Sequence, residues 1–195
     1  MSTRSWHGIS KVTDLMSEDD RIKSIRREYP SRIPIAVGIL PSAWMQHREK
    51  LDEIVHAHPL IFGEQNDQRD YDQVYSRTYV AGEHVDVWGC VWSNLKTGME
   101  AIVTGHPVPT REAVHTLEIP ELDDDMPHGF MYLRLGDLRG FEQIMVDFTE
   151  EPPELQMLID KVLAYNLRQA KYRLGAIDQP GQIVYFGDDL GMQNS

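Results

Sequence analysis

Between Arg32 and Leu40 the chain reads RIPIAVGIL, a near-continuous apolar run of strand length. A surface helix or a half-wet strand would interrupt such a run with polar residues at regular intervals. Runs without those interruptions suit strands buried on both faces, as in parallel sheets covered by helices. This feature constrains the fold most, because it asks for a layer of structure on each side of itself.

The rest of the chain alternates in a way that fits that demand. Ser17, followed by Glu18, Asp19 and Asp20, reads as a helix N-cap with acids in the first turn, favoured by the positive helix end. That helix should run to about Glu28 and stop before Pro30. A second helix, roughly Ser42–His56, carries Trp44, Met45, Leu51, Ile54 and Val55 on or near one face. From Tyr75 to Val108 the chain is rich in β-branched and aromatic residues and punctuated by Gly82, Gly89, Gly98 and Gly105, the pattern of strands and hairpins. Glu121–Asp125 reads as a solvated loop.

GFMYLRLG (Gly129–Gly136) is expected to be a strand, followed by a helix from about Leu138 to Phe148. Pro152-Pro153 then opens a long helix, a position where proline is well tolerated. Leu155, Leu158, Ile159, Val162 and Leu163 give the i, i+3, i+4, i+7, i+8 stripe of a helix lying on a core. Gly175 suits the C-cap, and QIVYFG returns as a strand. Strand, helix, strand-rich segment, strand, helices, strand is the order of an α/β fold with a mostly parallel sheet. Residues 1–16 read as an arm and 17–195 as one domain.

The net charge is −12, from 31 acidic against 19 basic residues, with no Lys/Arg cluster. Nucleic acids and anionic membranes both require a concentrated basic footprint, so neither is an expected partner. Cys90 is the only cysteine, so no intrachain disulfide and no multi-cysteine metal site can form. A reducing, cytoplasmic setting is the simplest expectation. The N-terminal MSTRSWHGISKVTD lacks the apolar core of a signal peptide.

Two places concentrate chemistry. Asp188 and Asp189 follow the last strand-like run, where α/β folds put site residues. A carboxylate there can bind a cationic or NH-rich substrate, or hold a proton if its twin raises its pKa. The alternative is that one of the pair is a buried anchor or a cap. In HVDVWGCVW (His84–Trp92), alternation places Asp86, Trp88 and Cys90 on one face. An acid beside an indole could cradle a flat or cationic ligand; the plainer reading has Asp86 closing a turn. Cys90 reads as a small buried hydrophobe rather than a nucleophile. Arg134 could anchor an anion or pair with a carboxylate. The histidines His56, His58, His84, His106, His115 and His128 match no zinc spacing. No phosphate loop, serine elbow or nucleotide fingerprint is present.

Read together, DRIKSIRREYPSRIPI, DVWGCVW…TGHPV, LRLGDLRGFEQIMVDFTEEPPELQMLIDKVLAYN and FGDDLGMQNS resemble the uroporphyrinogen decarboxylase superfamily. That group contains the haem-pathway decarboxylase and zinc- and cobamide-dependent methyltransferases. The resemblance covers nearly the whole chain and implies a (β/α)8 TIM barrel, of which about four strands would be present, an incomplete barrel. It implies that Asp86 lies near the acidic position that holds pyrrole NH groups in the decarboxylases. It places Asp188, Asp189 and Gln193 on a loop lining the same cleft; Trp88 and Arg134, singled out above from the residues themselves, are expected to bind substrate beside them.

Where the decarboxylases carry an arginine-rich R-Q-A-G-R-Y motif, this chain reads GILPSAWMQHRE. Eight substrate carboxylates would also sit poorly against a −12 chain. The methyltransferase-like branch is therefore the closer resemblance, with porphyrinogen decarboxylation the alternative. That branch implies zinc and a corrinoid protein, but its His-x-Cys and later Cys ligands are not in this sequence. A non-enzymatic half-barrel, completed by a second copy or a partner chain, is the third expectation.

Overall fold

The computed structural model describes residues 18–35, 37–65, 68–123, 129–176 and 186–189. The chain divides into two compact units, Met1–Ala81 with Leu95–Glu100, and Gly82–Asn94 with Ala101–Ser195. The expected arm, residues 1–16, the strand residues Gln182–Tyr185 and Gln193 lie outside the described residues.

The first unit is helical. It contains α1 (Glu18–Ile25), α2 (Pro41–Ala57), α3 (Pro59–Phe62) and a 3₁₀ turn at Arg77–Tyr79. Prolines open α2 and α3, where their missing N–H costs no helix hydrogen bond. Arg48 sits inside α2 with φ 42° and breaks its regularity, while its guanidinium bonds both oxygens of Asp72 at 2.9 and 3.0 Å. Among the described residues, Val55 is the one buried hydrophobic of this unit.

The apolar run that asked for two covering layers does not receive them. Described residues of RIPIAVGIL form no strand, and Ile33 is 82% exposed. A strand needs a neighbour to bond its backbone groups, and none pairs with this segment among the described residues. The expected fold class is overturned here: the described residues hold six α-helices and one small three-stranded antiparallel sheet, not the first four strands of a (β/α)8 TIM barrel. Apolar content without periodicity marks a need for burial but does not choose a partner, and strand and helix segments share that signature.

The second unit holds the core. Its sheet comprises β1 (Gly82–Val85), β2 (Val91–Asn94) and β3 (Ile102–Gly105), in that spatial order and antiparallel throughout. His84 faces Trp92 across β1 and β2, and a register shift falls between Val91 and Trp92. A 3₁₀ turn, Glu112–Thr116, precedes α4 (Tyr132–Arg139), α5 (Phe141–Glu150) and α6 (Pro153–Gly175). The amphipathic stripe is met in part: Leu155, Leu158 and Val162 are buried and Ile159 partly so, with Tyr165 extending the same face, while Leu163 is 41% exposed. They pack with Trp88, Cys90, Trp92, Leu135, Leu138 and Ile144 into one cluster.

The segment Gly129–Gly136, expected to be a strand, enters helix α4 instead, so Arg134 is a helical residue. Its aromatic and apolar letters favour a strand only weakly. Against that preference, a carboxylate from the far end of the chain caps the first turn, as described below.

Gly140 separates α4 from α5 with φ 88°, and a Cβ there would stand 3.3 Å from the His106 ring. That backbone conformation is open to glycine and strained for other residues. Gly140→Ala should therefore cost about 1–2 kcal/mol in urea unfolding; an unchanged midpoint would show that the α4–α5 corner differs from this geometry.

Across the corner, Asp147 of α5 accepts from Arg139 Nε at 2.8 Å and Arg111 Nε at 2.7 Å. Arg139 also donates to the Pro109 carbonyl at 2.8 Å. Burial pushes the Asp147 carboxyl up, but the two guanidiniums outweigh it and hold it below its ordinary value. This clamp ties α4, α5 and the chain after β3 together. No helix among the described residues is long and apolar enough to cross a membrane.

Candidate functional site

Asp86 follows β1 and begins the five-residue turn into β2. Its Oδ1 accepts the backbone N–H groups of Trp88 and Cys90, both at 2.9 Å. Its Oδ2 accepts the indole N–H of Trp92 at 2.9 Å and lies 3.8 Å from Arg134 Nη1. Asp favours such turns because its short carboxylate reaches the N–H two residues on. The alternation of burial holds through the turn, with Asp86, Trp88 and Cys90 buried and Val85, Val87 and Gly89 exposed. Asp86 thus closes a turn and, in the same geometry, delivers a negative charge to Arg134.

Arg134 is 3% exposed and spans two acids, with Asp137 Oδ2 at 3.2 Å on its other side. A buried guanidinium needs such partners, since an unpaired one carries a desolvation cost of several kcal/mol. Asp137 lies one helical turn further along α4 and is the one acid of this group with appreciable access, its side chain being 18% exposed. Its own carbonyl is held at 2.7 Å by His106 Nδ1 and at 3.5 Å by the Cys90 thiol, which donates. Burial raises the Asp137 carboxyl from 3.8 to about 6; Arg134 and His106 pull it down, while Asp86 and Asp188 push it further up. Neutral and ionised forms are therefore both accessible near neutrality.

Asp188 arrives from the last described segment. Its Oδ2 accepts the N–H groups of Met131 at 2.8 Å and Tyr132 at 2.5 Å, and its Oδ1 accepts Leu133 N–H at 2.9 Å. These are orphan donors at the start of α4, where the helix dipole also favours an anion. Burial raises its carboxyl, but the backbone donors prevail and hold it low. Asp188 is an ionised cap, and Asp189 beside it is exposed. A proton shared between these twins, one use the sequence allowed, is replaced by a firmly ionised Asp188.

Trp88 is buried against Tyr165, ring centroids 5.2 Å apart, and its indole N–H has no hydrogen-bond partner among the described residues. Buried donors of this kind are uncommon. Cys90 is fully buried, and its thiol is pushed far above its ordinary value by burial first and then by Asp86 and Asp137. Thiolate is the reactive form. Cys90 should resist an aromatic disulfide reagent in the native chain and react fully in urea; prompt native labelling would contradict its burial.

Asp86, Trp88, Arg134 and Asp188 thus fall in one unit, with Asp137 touching or sensing three of them. Asp137 and His106 were not singled out from the sequence as site residues. The one signal for Asp137 was an acid between two arginines in RLGDLRG. Among the described residues no group of three or more His, Cys, Asp or Glu side chains could hold a metal ion. Cys90, its proton held and donated to a carbonyl, and exposed His106, spent on the same carbonyl, do not fit zinc.

Together these features define the second unit as an α+β module with a buried carboxylate–guanidinium cluster at the junction of its sheet and α4. No protein-family model, curated protein or solved structure matches the chain.

Proposed function

We propose that the chain is a uroporphyrinogen decarboxylase-like protein that serves a methyl-transfer reaction in the cytoplasm, with the cluster around Asp137 as its site. One observation carries this reading. Asp86 and Asp188, which the sequence resemblance places at one cleft, and Arg134, a candidate anion anchor, come from distant parts of the chain and act on one partly accessible acid. A site that changes the charge of a substrate atom needs a titratable group set against fixed charges, and such groups cluster where chemistry occurs.

The same cluster favours methyl transfer over porphyrinogen decarboxylation. The buried Arg134 guanidinium is already engaged by the carboxylates of Asp86 and Asp137, and Asp188 adds a third negative charge acting on Asp137. A substrate with many carboxylates would meet like charges here. Zinc and a corrinoid, which the methyl-transfer reading brings with it, find no ligand set in the residues described, and no step is assigned to them.

The test supplies the full chain with a reduced corrinoid and a panel of methylated amines, thiols and alcohols, and follows the corrinoid's visible spectrum. Spectral change with one substrate class supports the reading. A silent spectrum, with coproporphyrinogen formed from uroporphyrinogen in a parallel assay, replaces it with the decarboxylase alternative. Silence in both assays rejects both.

A further inference from the structure

Asp137 differs from its neighbours in what its oxygens are doing. Both oxygens of Asp86 are occupied, and its side chain is 1% exposed. Both oxygens of Asp188 hold the first turn of α4. Among the described residues, the Asp137 side chain has one hydrogen bond, from Arg134 to Oδ2 at 3.2 Å, which leaves Oδ1 uncommitted. Its backbone is fixed from two sides, by His106 from the chain after β3 and by Cys90 from the turn before β2. A carboxyl on a rigid helix, one oxygen held by a cation and its side chain 18% exposed, has the geometry of a positioned acid.

Resting on the reading above, we propose that Asp137 is the proton donor of this site, giving its proton to the substrate atom left with an electron pair when a bond to carbon breaks. The class of substrate follows from that step. The carbon fragment passes as a methyl group to a nucleophilic acceptor, or leaves as carbon dioxide in the alternative reaction. In either case the bond's electron pair stays on the substrate atom. The O–H bond of Asp137 breaks, that atom gains the proton, and the new carboxylate faces Arg134. Solvent restores the proton through the exposed edge of the side chain.

The groups facing Asp137 set when it is loaded. Arg134 lies on its own helix, Asp86 and Cys90 in the turn between β1 and β2, His106 after β3, and Asp188 in the last described segment. The two flanking acids oppose its ionisation and Arg134 favours it. Together with burial they bring its titration close to the operating pH, where a general acid is most effective.

The test begins with the full chain labelled with ¹³C at aspartate carboxyl carbons. One resonance should titrate near pH 6 in the wild type and be missing in Asp137→Asn, whatever the fate of the variant's activity. Survival of that titration in Asp137→Asn, or no aspartate titrating between about pH 5 and 7, overturns the proposal. Turnover provides the second arm. Asp137→Asn should lower kcat on the order of 10²–10⁴-fold with KM little changed, and should abolish the fall in wild-type rate above about pH 6. A retained pH limb with near-normal kcat denies Asp137 the donor role. No turnover in the wild type removes the reaction reading and the donor role with it, while the titration still decides which acid holds the proton.

Discussion

Asp86→Ala is expected to lower the free energy of unfolding by about 3–5 kcal/mol, the cost of breaking a buried ion pair by removing one partner. The size follows from what the carboxylate holds. Without it the N–H groups of Trp88 and Cys90 and the indole of Trp92 lose their acceptor inside the core. Each orphaned buried donor costs about 1–3 kcal/mol, so even partial rescue by water leaves a large deficit. Arg134, 3% exposed, would lose one of the two carboxylates beside it and keep Asp137. Asp86→Asn should recover part of the loss, because its carbonyl can still accept from the turn while its amide cannot accept from Trp92. Urea unfolding followed by tryptophan emission measures both variants. A loss below about 1 kcal/mol for Asp86→Ala would place Asp86 outside the core, contrary to the structure.

Asp137→Asn should do the opposite and stabilise the chain above pH 7. Burial raises the Asp137 carboxyl from 3.8 to about 6, so between those values the native state holds a proton that the unfolded chain has released. Stability linked to this group is greatest below about pH 4 and is lost as pH rises through 6. Over that interval, at about 1.4 kcal/mol per pH unit, the penalty reaches about 3 kcal/mol at pH 8. Asparagine carries no charge to desolvate and should recover much of it, less whatever the Arg134 contact contributes. At pH 4.5 the difference should have shrunk to about a third of its value at pH 8. Equal stability at both pH values, or a variant less stable at pH 8, would show that Asp137 is not held against its ionisation. Asp147 supplies the contrasting case, since its depressed titration adds stability that disappears as pH falls. The two acids therefore separate by sign: Asp147 holds the fold together, whereas Asp137 is held by the fold at a cost, as site residues often are.

What could be read in the sequence depended on how local the determining physics was. The α6 stripe is local, because the same residues that set the helical period also set the buried face, and Leu155, Leu158 and Val162 are buried as their spacing demands. The alternation through Asp86, Trp88 and Cys90 is local too, and it survives although the backbone turns where a strand would continue. The start of α4 is not local. Gly129–Gly136 favours a strand by composition, and the carboxylate that caps it as a helix comes from Asp188. The RIPIAVGIL run fails for the same reason, since a strand is defined by its partner and the run does not name one. Asp137 stayed hidden because burial and three charges from other segments, Asp86, His106 and Asp188, act on its titration beside its helical neighbour Arg134.

The central claim is that the turn after β1, helix α4 and the segment around Asp188 meet at one cluster. The most direct measurement is the midpoint of the Asp137 carboxyl resonance in Asp86→Asn and Asp188→Asn. Both acids oppose Asp137 ionisation in this geometry, so removing either charge should move the midpoint below its wild-type value. A midpoint that stays where it was in both variants would mean that these segments do not meet.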